Sequence, residues 1–443
     1  MVALENLDLA VLVRVQTGQR EMKDIVCIIL AAGRSTRLKE DLPKVCQSIL
    51  GRPMLSYVIE AVKNTGIKEV FVIIGYKRDL VRKILPERID CIIQERPLGT
   101  ADAVRRTEER LKEYKGDVLV VYGDHPFLRS QTLKELVSYH KRGLFDCTLL
   151  IACLEDPSGY GRVIRNGNNQ ITGILEESDC SREELKIKEV NSGVLCFKSK
   201  ALFEGLKEIK INERKREFYL TDIIKILSKK GKKIGSLESE SPEEEGLGVN
   251  KREELIKATE LTREKKMSEL ISKGVRIISP ETTFIDFNVL IGKDTTIYPF
   301  TVIERNVKIG KNCQIGPFCH IREGVVIRDN AQVGNFVEIV RSEIDKDCKI
   351  KHFSYLGDVR IGRNVNVGAG VVTANFNGKR KNITRIRDGA FIGSDTVFIA
   401  PVRVGKNAVT GAGAIVTKNQ DIPDNAVVVG VPAKILKKVK GRS

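Results

Sequence analysis

The sequence contains no tryptophan and few aromatic residues of any kind. Only 5% of its 443 residues are Phe or Tyr, whereas 30% are charged. Proteins that stack nucleic-acid bases need aromatic side chains on the binding surface, so this scarcity argues against such a partner. The net charge of +17 suits a phosphate backbone, but Lys and Arg are spread along the whole chain. We therefore expect no nucleic-acid partner and interpret the charge as a solvated basic surface, with small anionic substrates as the next interpretation.

Long apolar stretches are also missing. The longest runs, such as "IVCIILAA", fall far short of the roughly 20 residues that a membrane helix needs. The first 22 residues carry Glu5, Asp8 and Glu21 around a short "LAVLV", which does not fit a secretion signal. We expect a cytoplasmic protein without a membrane span, in which residues 1–23 form a disordered extension and Met22 is an alternative start.

The chain has ten cysteines but no C-x-x-C pair. Several of them lie in strand-like runs, namely Cys27, Cys91, Cys153 and Cys196. Buried free thiols in a reducing compartment are therefore expected, rather than disulfides or a zinc site.

Apolar runs alternate with helical patterns from residue 25 to about 155. Strand-like segments such as "EVFVIIG" and "DVLVVYGD" are separated by helices expected near residues 54–65, 78–85, 101–113 and 131–142. This alternation predicts a Rossmann-like α/β domain over 24–249 with a mostly parallel sheet. Ligands of such sheets bind beyond the carboxyl ends of the strands, where "GRSTRLKEDLPK" and "YGDHP" occur.

Beyond a charged linker helix expected over 250–274, an aliphatic residue recurs every six residues. Two residues before each stands a small or β-branched residue, as at Cys313 and Cys319. The aliphatic positions are Ile285, Ile291, Ile297, Ile303, Ile309, Ile315, Ile321, Ile327, Val333 and Ile339, and the pattern resumes after one-residue slips at Ile344, Ile350, Leu356, Ile361 and Val367. After "NFNGKRKN" it returns at Ile386, Ile392, Phe398, Val404, Thr410 and Val416. The period predicts a left-handed parallel β-helix of hexapeptide repeats over 275–443, with that interruption as an ejected loop.

The basic loop after the first strand suits a phosphate chain. Gly33 permits a close turn, and Arg37 and Lys44 can reach phosphates, with Pro43 stiffening the approach of Lys44. Such a loop can also be merely solvated, and the residues alone leave both possibilities open.

The stretch "LAAGRSTRLKEDLPK" resembles the nucleotide-binding signature of sugar-1-phosphate nucleotidylyltransferases. Over about residues 24–438 the chain resembles the bacterial family that joins N-acetylglucosamine-1-phosphate uridylyltransferase to glucosamine-1-phosphate acetyltransferase. The segments "QERPLGTADAV", "YGDHP", "GYGRVI", "EVNSG", "EFYLTDII" and "LGVN" follow in the family's order. Ser35 stands where many members have Gly.

The resemblance implies UTP, acetyl-CoA and sugar 1-phosphates as substrates and Mg²⁺ as cofactor. It implies that Arg37 and Lys44 hold the triphosphate and that Asp124 and Asn250 bind Mg²⁺, which prefers such oxygen ligands. The other implied residues of this half are Leu30, Ala31 and Gly33 along the nucleotide, Gln94, Gly99 and Thr100 at the uracil, and Gly161, Glu176 and Asn191 at the sugar.

In the second half the resemblance implies His352 as general base, a role that suits a histidine pKa. It implies that Arg322, Tyr355, Asn366 and Lys381 bind glucosamine 1-phosphate and that Asn375, Ser394 and Ala412 bind acetyl-CoA. Three positions depart from the family. Val340 replaces a cation, Phe376 a tyrosine and Gly430 an arginine, while strand alternation points Arg341 away from the side of Val340.

We therefore expect synthesis of UDP-N-acetylglucosamine by acetyl transfer and uridylyl transfer, in a homotrimer as the resemblance implies. One alternative is a nucleotidylyltransferase for another hexose phosphate whose coil acetylates a different amine. Another is a coil that serves only as an assembly scaffold.

Overall fold

The computed structural model describes residues 22–34, 38 and 40–438, with the backbone alone for 437 and 438. The chain divides into two compact units, Met1–Ala258 and Thr259–Ser443. Most of the expected extension lies outside the described residues, but Met22–Asp24 form a 3₁₀ turn in which Met22 is buried. The domain boundaries expected from the sequence remain predictions.

The first unit is organised by one sheet. Its strands are β1 (Ile25–Ala31), β4 (Glu69–Ile74), β5 (Asp90–Ile93), β6 (Asp117–Tyr122), β7 (Cys147–Cys153), β8 (Arg162–Arg165), β9 (Ile171–Leu175), β10 (Glu189–Lys198) and β11 (Ile234–Glu238), beside the small pair β2 (Ser48–Ile49) and β3 (Arg52–Pro53). The strand order is β11-β7-β10-β6-β1-β4-β5, and β8 and β9 continue from β10. Strand β10 runs antiparallel to its neighbours, while β1 is parallel to β4 and β6. The predicted mostly parallel α/β sheet is confirmed.

Helices cover this sheet and connect its strands. They are α1 (Met54–Lys63), α2 (Arg78–Ile84), α3 (Thr100–Arg105), α4 (Ser130–Arg142), α5 (Ser199–Leu206), α6 (Asp222–Lys229) and α7 (Pro242–Glu245). Helix α8 (Arg252–Ser272) follows after the last strand of this unit. Helix α3 is shorter than the 101–113 expected from the sequence. The reason is local, because the N–H groups of Thr107 and Glu108 bond three residues back and the Thr107 hydroxyl also donates to the Val104 carbonyl.

Both faces of the sheet are buried. Side chains of β1 alternate between two apolar clusters, with Val26 and Ile28 in one and Cys27 and Ile29 in the other. All ten cysteines are free, as predicted. Cys27 and Cys196 are buried as expected, but Cys91 is only half-buried. The expectation of burial is wrong for Cys153, which is exposed at the end of β7.

The second unit is a left-handed parallel β-helix. The first face stacks β12 (Arg276–Ile277), β15 (Thr296–Ile297), β18 (Gln314–Ile315), β21 (Gln332–Val340), β23 (Lys349–Gly357), β25 (Asn366–Val367), β28 (Phe391–Ile392), β31 (Val409–Thr410) and β34 (Ala426–Val429), which pairs with β35 (Lys434–Lys438). The second stacks β13 (Phe284–Ile285), β16 (Val302–Ile303), β19 (His320–Ile321), the later halves of β21 and β23, β26 (Val372–Ala374), β29 (Val397–Ile399) and β32 (Ile415–Val416). The third stacks β14 (Leu290–Ile291), β17 (Lys308–Ile309), β20 (Val326–Ile327), β22 (Glu343–Ile344), β24 (Val359–Ile361), β27 (Thr384–Ile386), β30 (Val402–Val404) and β33 (Asp421–Ile422).

Each coil passes once through the three faces, so paired residues reveal its length. Ile303 pairs with Ile321, 18 residues on, and Ile344 pairs with Ile361, 17 residues on. Ile361 then pairs with Ile386, because the ejected loop lengthens that coil. Every aliphatic position predicted to face inward is at most 8% exposed, and Cys313 and Cys319 are buried as expected.

The coil turns at residues with a left-handed backbone. Many of these are Asn or Asp, the side chains that best tolerate positive φ. Their amides also link coils, since Asn312 donates to Asn330 at 3.0 Å and Asn330 donates to Asp347 at 2.9 Å. The "GKN" and "RDN" segments of the sequence are thus corners of the coil.

Neighbouring residues of β16 test the inward pattern. Ile303 is 1% exposed and Val302 is 38% exposed. Ile303→Ala should lower the free energy of unfolding by about 2–4 kcal/mol, because it removes buried methyl groups and leaves a cavity. Val302→Ala should change it by less than about 0.5 kcal/mol. Urea unfolding measures both values, and equal losses would contradict the assigned register.

Candidate functional site

In the first unit, parallel pairing brings two loops to the same edge of the sheet. Leu30 near the end of β1 pairs with Tyr122 at the end of β6, and Gly123 N–H donates to the Leu30 carbonyl at 2.9 Å. The basic loop that follows β1 and the "GDHP" segment that follows β6 therefore start side by side. This placement agrees with the sequence analysis.

Three side chains from distant parts of the chain meet at this edge. The Lys44 ammonium forms an ion pair with the Asp124 carboxylate and donates to Asn250 Oδ1 at 2.9 Å. The backbone supports the arrangement, because Val249 N–H donates to the Asp124 carbonyl at 2.9 Å and Glu254 accepts from the Asn250 N–H. Two predicted metal ligands and one predicted phosphate-binding cation thus share one cluster.

Electrostatics keep the carboxylate of this cluster charged. The Asp124 side chain is 13% exposed. Burial raises its pKa, but the charges of Lys44 and His125 lower the pKa by more than burial raises it. The pKa of Asp124 therefore lies below its ordinary value. Burial also lowers the pKa of His125, whose Nδ1 has no hydrogen-bond partner among the described residues. No role was predicted for His125 from the sequence, although it lies in the segment "YGDHP".

The cluster suits a cation that prefers oxygen ligands. Asp124 and Asn250 both direct an oxygen at one ammonium group, so they already converge on a single positive charge. Within the described part of the chain no group of three or more His, Cys, Asp or Glu side chains could hold a metal. Two protein oxygens completed by substrate phosphates make up a common Mg²⁺ set, and these residues fit it.

The residues implied for the uracil form a rigid turn. Gln94 is buried and donates to the Gly99 carbonyl at 3.0 Å and to the Asp102 carboxylate at 2.8 Å. Gly99 has φ +101°, and a Cβ there would lie 2.5 Å from the Phe218 carbonyl oxygen. Only glycine fits this position. The Thr100 hydroxyl, in turn, accepts from a backbone N–H in the "EFYL" segment.

The residues implied for the sugar also come together. Asn191 N–H donates to the Gly161 carbonyl at 3.0 Å, and a Cβ on Gly161 would lie 3.8 Å from Glu176 Oε1. Burial raises the pKa of Glu176, opposed by the hydrogen bond from Thr221 at 3.0 Å. Sequence reasoning missed Thr221, although it lies in the quoted motif "EFYLTDII".

The remaining residues of the nucleotide set are only partly visible. Arg37 and Ser35 lie outside the described residues. Ala31 is buried at the end of β1, Leu30 is half-buried, and Gly33 has open space where a side chain would project.

In the second unit, one corner of the coil collects three of the implied residues. We name it the His352 corner, where the first face turns into the second at His352, Ser394 and Ala412. Backbone bonds stack its coils, since Gly370 N–H donates to the Phe353 carbonyl, Asp395 N–H to the Ala369 carbonyl and Gly413 N–H to the Ser394 carbonyl. The His352 side chain is exposed, so it is accessible to a substrate.

Three of the implied sugar-phosphate residues lie on the adjoining faces. Asn366 is on the first face, between Lys349 and Phe391 in the stack. Tyr355 is on the second face in register with Glu338, which accepts from Arg322 at 3.3 Å. The neighbouring His320 binds Glu304 of the preceding coil at 2.8 Å.

The opposite end of the second face is a corner that we name the Asp358 corner, formed by Arg341, Asp358 and Asn375. Arg341 binds both oxygens of Asp358 at 2.8 Å, and Asn375 also donates to Asp358. The ejected loop starts here, and an antiparallel bridge joins Phe376 to Lys381 within it.

Val340, which stands where the family has a cation, and its neighbour Arg341 lie at the Asp358 corner. Val340 is 3% exposed. Alternation does not orient Arg341, because β21 ends at Val340 and Arg341 has φ +47°. Arg341 instead forms an ion pair with Asp358, which raises the pKa of its guanidinium. Val340 is buried whereas Arg341 is exposed, and the expectation that the two side chains point to opposite sides stays a prediction.

The chain matches models of known families in both units. The Nucleotidyl transferase model matches residues 26–241. The model called Bacterial transferase hexapeptide (six repeats) matches residues 288–317 and 306–341, and the Hexapeptide repeat of succinyl-transferase matches 383–418.

Relatives similar to the whole chain carry the name "Bifunctional protein GlmU". The protein from Acetivibrio thermocellus is 38% identical over 94% of this chain and 97% of its own length. The one from Thermosipho africanus is 40% identical over 91% and 94%, and the one from Thermotoga maritima is 39% identical over 93% and 97%.

We expect the charges of the cluster formed by Lys44, Asp124 and Asn250 to contribute to the free energy of unfolding. Lys44→Met should lower the free energy of unfolding at pH 7 by about 1–3 kcal/mol, because the Asp124 carboxylate loses its countercharge. The contribution of Asp124 should be present above an ordinary carboxyl pKa of about 4 and vanish as the pH falls through its lowered native pKa.

Urea unfolding followed by helical circular dichroism measures this loss. Adding Asp124→Asn to Lys44→Met should recover part of it, since no charge then remains unpaired. Lys188→Met, which removes an exposed partner of Glu155, is the control and should change nothing measurable. Equal stability of Lys44→Met and the native chain would contradict the coupling.

Proposed function

The chain belongs to the family of bifunctional GlmU proteins, and on that premise we propose that it makes UDP-N-acetylglucosamine in two transfers. The second unit moves an acetyl group from acetyl-CoA to glucosamine 1-phosphate. The first unit then joins the uridylyl group of UTP to N-acetylglucosamine 1-phosphate and releases pyrophosphate. The carrying observation is identity of 38–40% over at least 91% of the chain, which includes both units.

Uridylyl transfer needs positioning and charge neutralisation rather than a protein nucleophile. A phosphate oxygen of the sugar substrate attacks the α-phosphorus of UTP, and pyrophosphate leaves. Lys44 binds the triphosphate from the edge of the sheet, and Arg37 is assigned the same role. Gln94, Gly99 and Thr100 bind the uracil within the rigid turn, which restricts the approach of the α-phosphorus.

Asp124 and Asn250 are the residues that would hold Mg²⁺ in this unit. When bound, the ion neutralises phosphate charge in the transition state. The Lys44 ammonium now bonded to both oxygens is then free to turn to the phosphates. On the sugar side, Asn191 and Glu176 orient the hydroxyl and amide groups beside Gly161.

Acetyl transfer needs a base because the amine must lose a proton as it attacks the thioester. His352 takes this proton from the exposed corner of the coil. Ser394 and Ala412 lie on later coils of the same corner, where an extended acetyl-CoA can follow the stack. Asn375 and Lys381 contribute from the ejected loop. Tyr355 and Arg322 bind the sugar phosphate between the two corners, and Asn366 binds it from the first face.

Further properties belong to this proposal. The enzyme acts as a homotrimer in the cytoplasm, on small-molecule substrates. None of the helices in the described ranges combines the length and the apolar composition that a bilayer span requires.

A second candidate keeps both activities but changes the acceptor of the acetyl group. Val340 is buried and uncharged where the family has a cation, so the coil binds the phosphate of its acceptor with fewer charges. Gly430 has φ +91° at the position of a family arginine that meets CoA. A different amino sugar is then the substrate of the coil.

The first activity is tested by pyrophosphate release. Native protein with UTP, Mg²⁺ and N-acetylglucosamine 1-phosphate should release pyrophosphate, and Lys44→Ala should lower kcat/KM by about 10²-fold or more because a triphosphate contact is lost. Lys188→Ala should match the native chain. No release, or undiminished release from Lys44→Ala, would contradict the assignment.

The second activity is tested by thiol release from acetyl-CoA. Release should require glucosamine 1-phosphate and fall by about 10²–10⁴-fold in His352→Ala, which lacks the base. His320→Ala is the matched control, because this histidine is bound to Glu304 on an earlier coil. Faster acetylation of another amino sugar would favour the second candidate, and no acetyl transfer to any amine would leave the coil as a scaffold.

A further inference from the structure

Charges on the outside of the coil generally alternate in sign from one coil to the next. Glu304 lies near Arg322, which binds Glu338, and Arg305 binds Glu323 at 2.9 Å. Further pairs between successive coils are Asp329 with Lys346, Arg341 with Asp358 and Glu343 with Arg360. Parallel stacking puts equivalent positions only about 4.8 Å apart, so this alternation stabilises the stack.

The third face breaks the alternation. Strand register stacks Arg360 on Arg385 and Arg385 on Arg403, one coil after another. Glu343 precedes this column and Asp421 follows it. We name the three arginines the arginine column. Among the described residues Arg360 pairs with Glu343, whereas Arg385 and Arg403 form no ion pair.

Two of the three arginines of the column, Arg360 and Arg385, border a concave surface, and Arg403 follows on the next coil. A shallow cavity of about 580 Å³ includes Arg360 and Arg385 in its lining. Its other cationic side chains are Arg328, Arg387 and Lys406, and its acidic ones are Glu343, Asp345 and Asp388. The cations are in excess, and Arg385 lies at the centre of the column with both neighbours of its own sign.

Like charges directly opposite each other on neighbouring strands destabilise a sheet. The fold therefore holds Arg385 between Arg360 and Arg403, which repel it unless an external anion lies across the column. Guanidinium groups bind phosphate oxygens in pairs, and groups on successive coils can share one anion that carries several phosphates. The lining contains no aromatic side chain, so it offers no platform for a nucleobase.

We propose that the arginine column is a binding site for a condensed phosphate, such as pyrophosphate or tripolyphosphate. The site lies on the third face, apart from the His352 corner and from every residue assigned to the two transfers. The inference does not rest on the proposed function. The anion bridges Arg360, Arg385 and Arg403 and supplies the negative charge that the stack lacks.

Calorimetric titration of the full chain with tripolyphosphate, without divalent cations, tests the site. The variants are Arg385→Gln, Arg385→Glu and the control Arg305→Gln, which removes an arginine already paired on the coil. Arg385→Gln should weaken tripolyphosphate binding about tenfold, since one charged contact is lost. Arg385→Glu should abolish it, and Arg305→Gln should bind as the native chain does. Phosphate binding to the first unit is common to all four proteins and cancels in the comparison.

Thermal stability gives a second readout. Without anion, Arg385→Glu restores alternation and should raise Tm by roughly 1–4 °C. Tripolyphosphate should then raise the Tm of the native chain more than that of the variant. Each variant should also release pyrophosphate from UTP at the native rate. This reaction belongs to the first unit, so it checks folding without depending on the arginine column.

Further ligands identify the source of the anion. Pyrophosphate and UTP should bind in proportion to their phosphate number, and orthophosphate should bind much more weakly. Equal binding of tripolyphosphate by the native chain and Arg385→Gln would overturn the proposal. Binding of duplex DNA without binding of tripolyphosphate, or equal affinity for orthophosphate and tripolyphosphate, would overturn it too.

Discussion

Both units depend on the pairing of parallel strands. In a parallel pair the chain leaves each strand at the same end, so residues far apart in sequence meet wherever strands stop. The first unit uses this at a sheet edge, where Leu30 and Tyr122 pair just before their loops diverge. The second uses it at every corner, where successive coils repeat the same turn. The pairing builds a cluster around Lys44 in one case and an exposed histidine above a stack of turns in the other.

The fold was predictable because its signals are periodic. An aliphatic residue at every sixth position predicts a coil in which all these side chains face one interior. Residues such as Ile321 and Phe398 do lie in that interior. The alternation of apolar runs with helical patterns likewise identified β1 and β6. The end of α3 was not predictable, because Thr107 competes for a carbonyl through its own hydroxyl. Cys153 is exposed because it lies at the end of β7, and an apolar run in the sequence does not show where the strand leaves the core.

The candidate sites were predictable as sets of residues but not as contacts. Resemblance indicated Lys44, Asp124 and Asn250, yet only the structure shows one ammonium between two oxygens. His125 and Thr221 have no periodic pattern, and their importance comes from burial and from a single hydrogen bond. Arg341 is the clearest case, because its ion pair with Asp358 joins two successive coils and is not visible in the sequence. The arginine column is equally invisible in the sequence, where Arg360, Arg385 and Arg403 are separated by unequal intervals.

The unequal coil lengths have a consequence for how such a protein can change. The coils that contain Ile344 and Ile361 are one residue shorter than their neighbours, and the next is longer by its loop, yet Ile386 still faces the interior. All three changes in coil length fall at the Asp358 corner. A turn can take up an inserted or deleted residue, whereas the same change within a strand would move the following side chains to the opposite face of the sheet. The segment between Asn375 and Asn382 is closed by a 2.7 Å hydrogen bond at its base and is therefore a natural place to graft foreign sequence. Evolution and protein engineering can alter the sequence of this corner while leaving the scaffold beneath it unchanged.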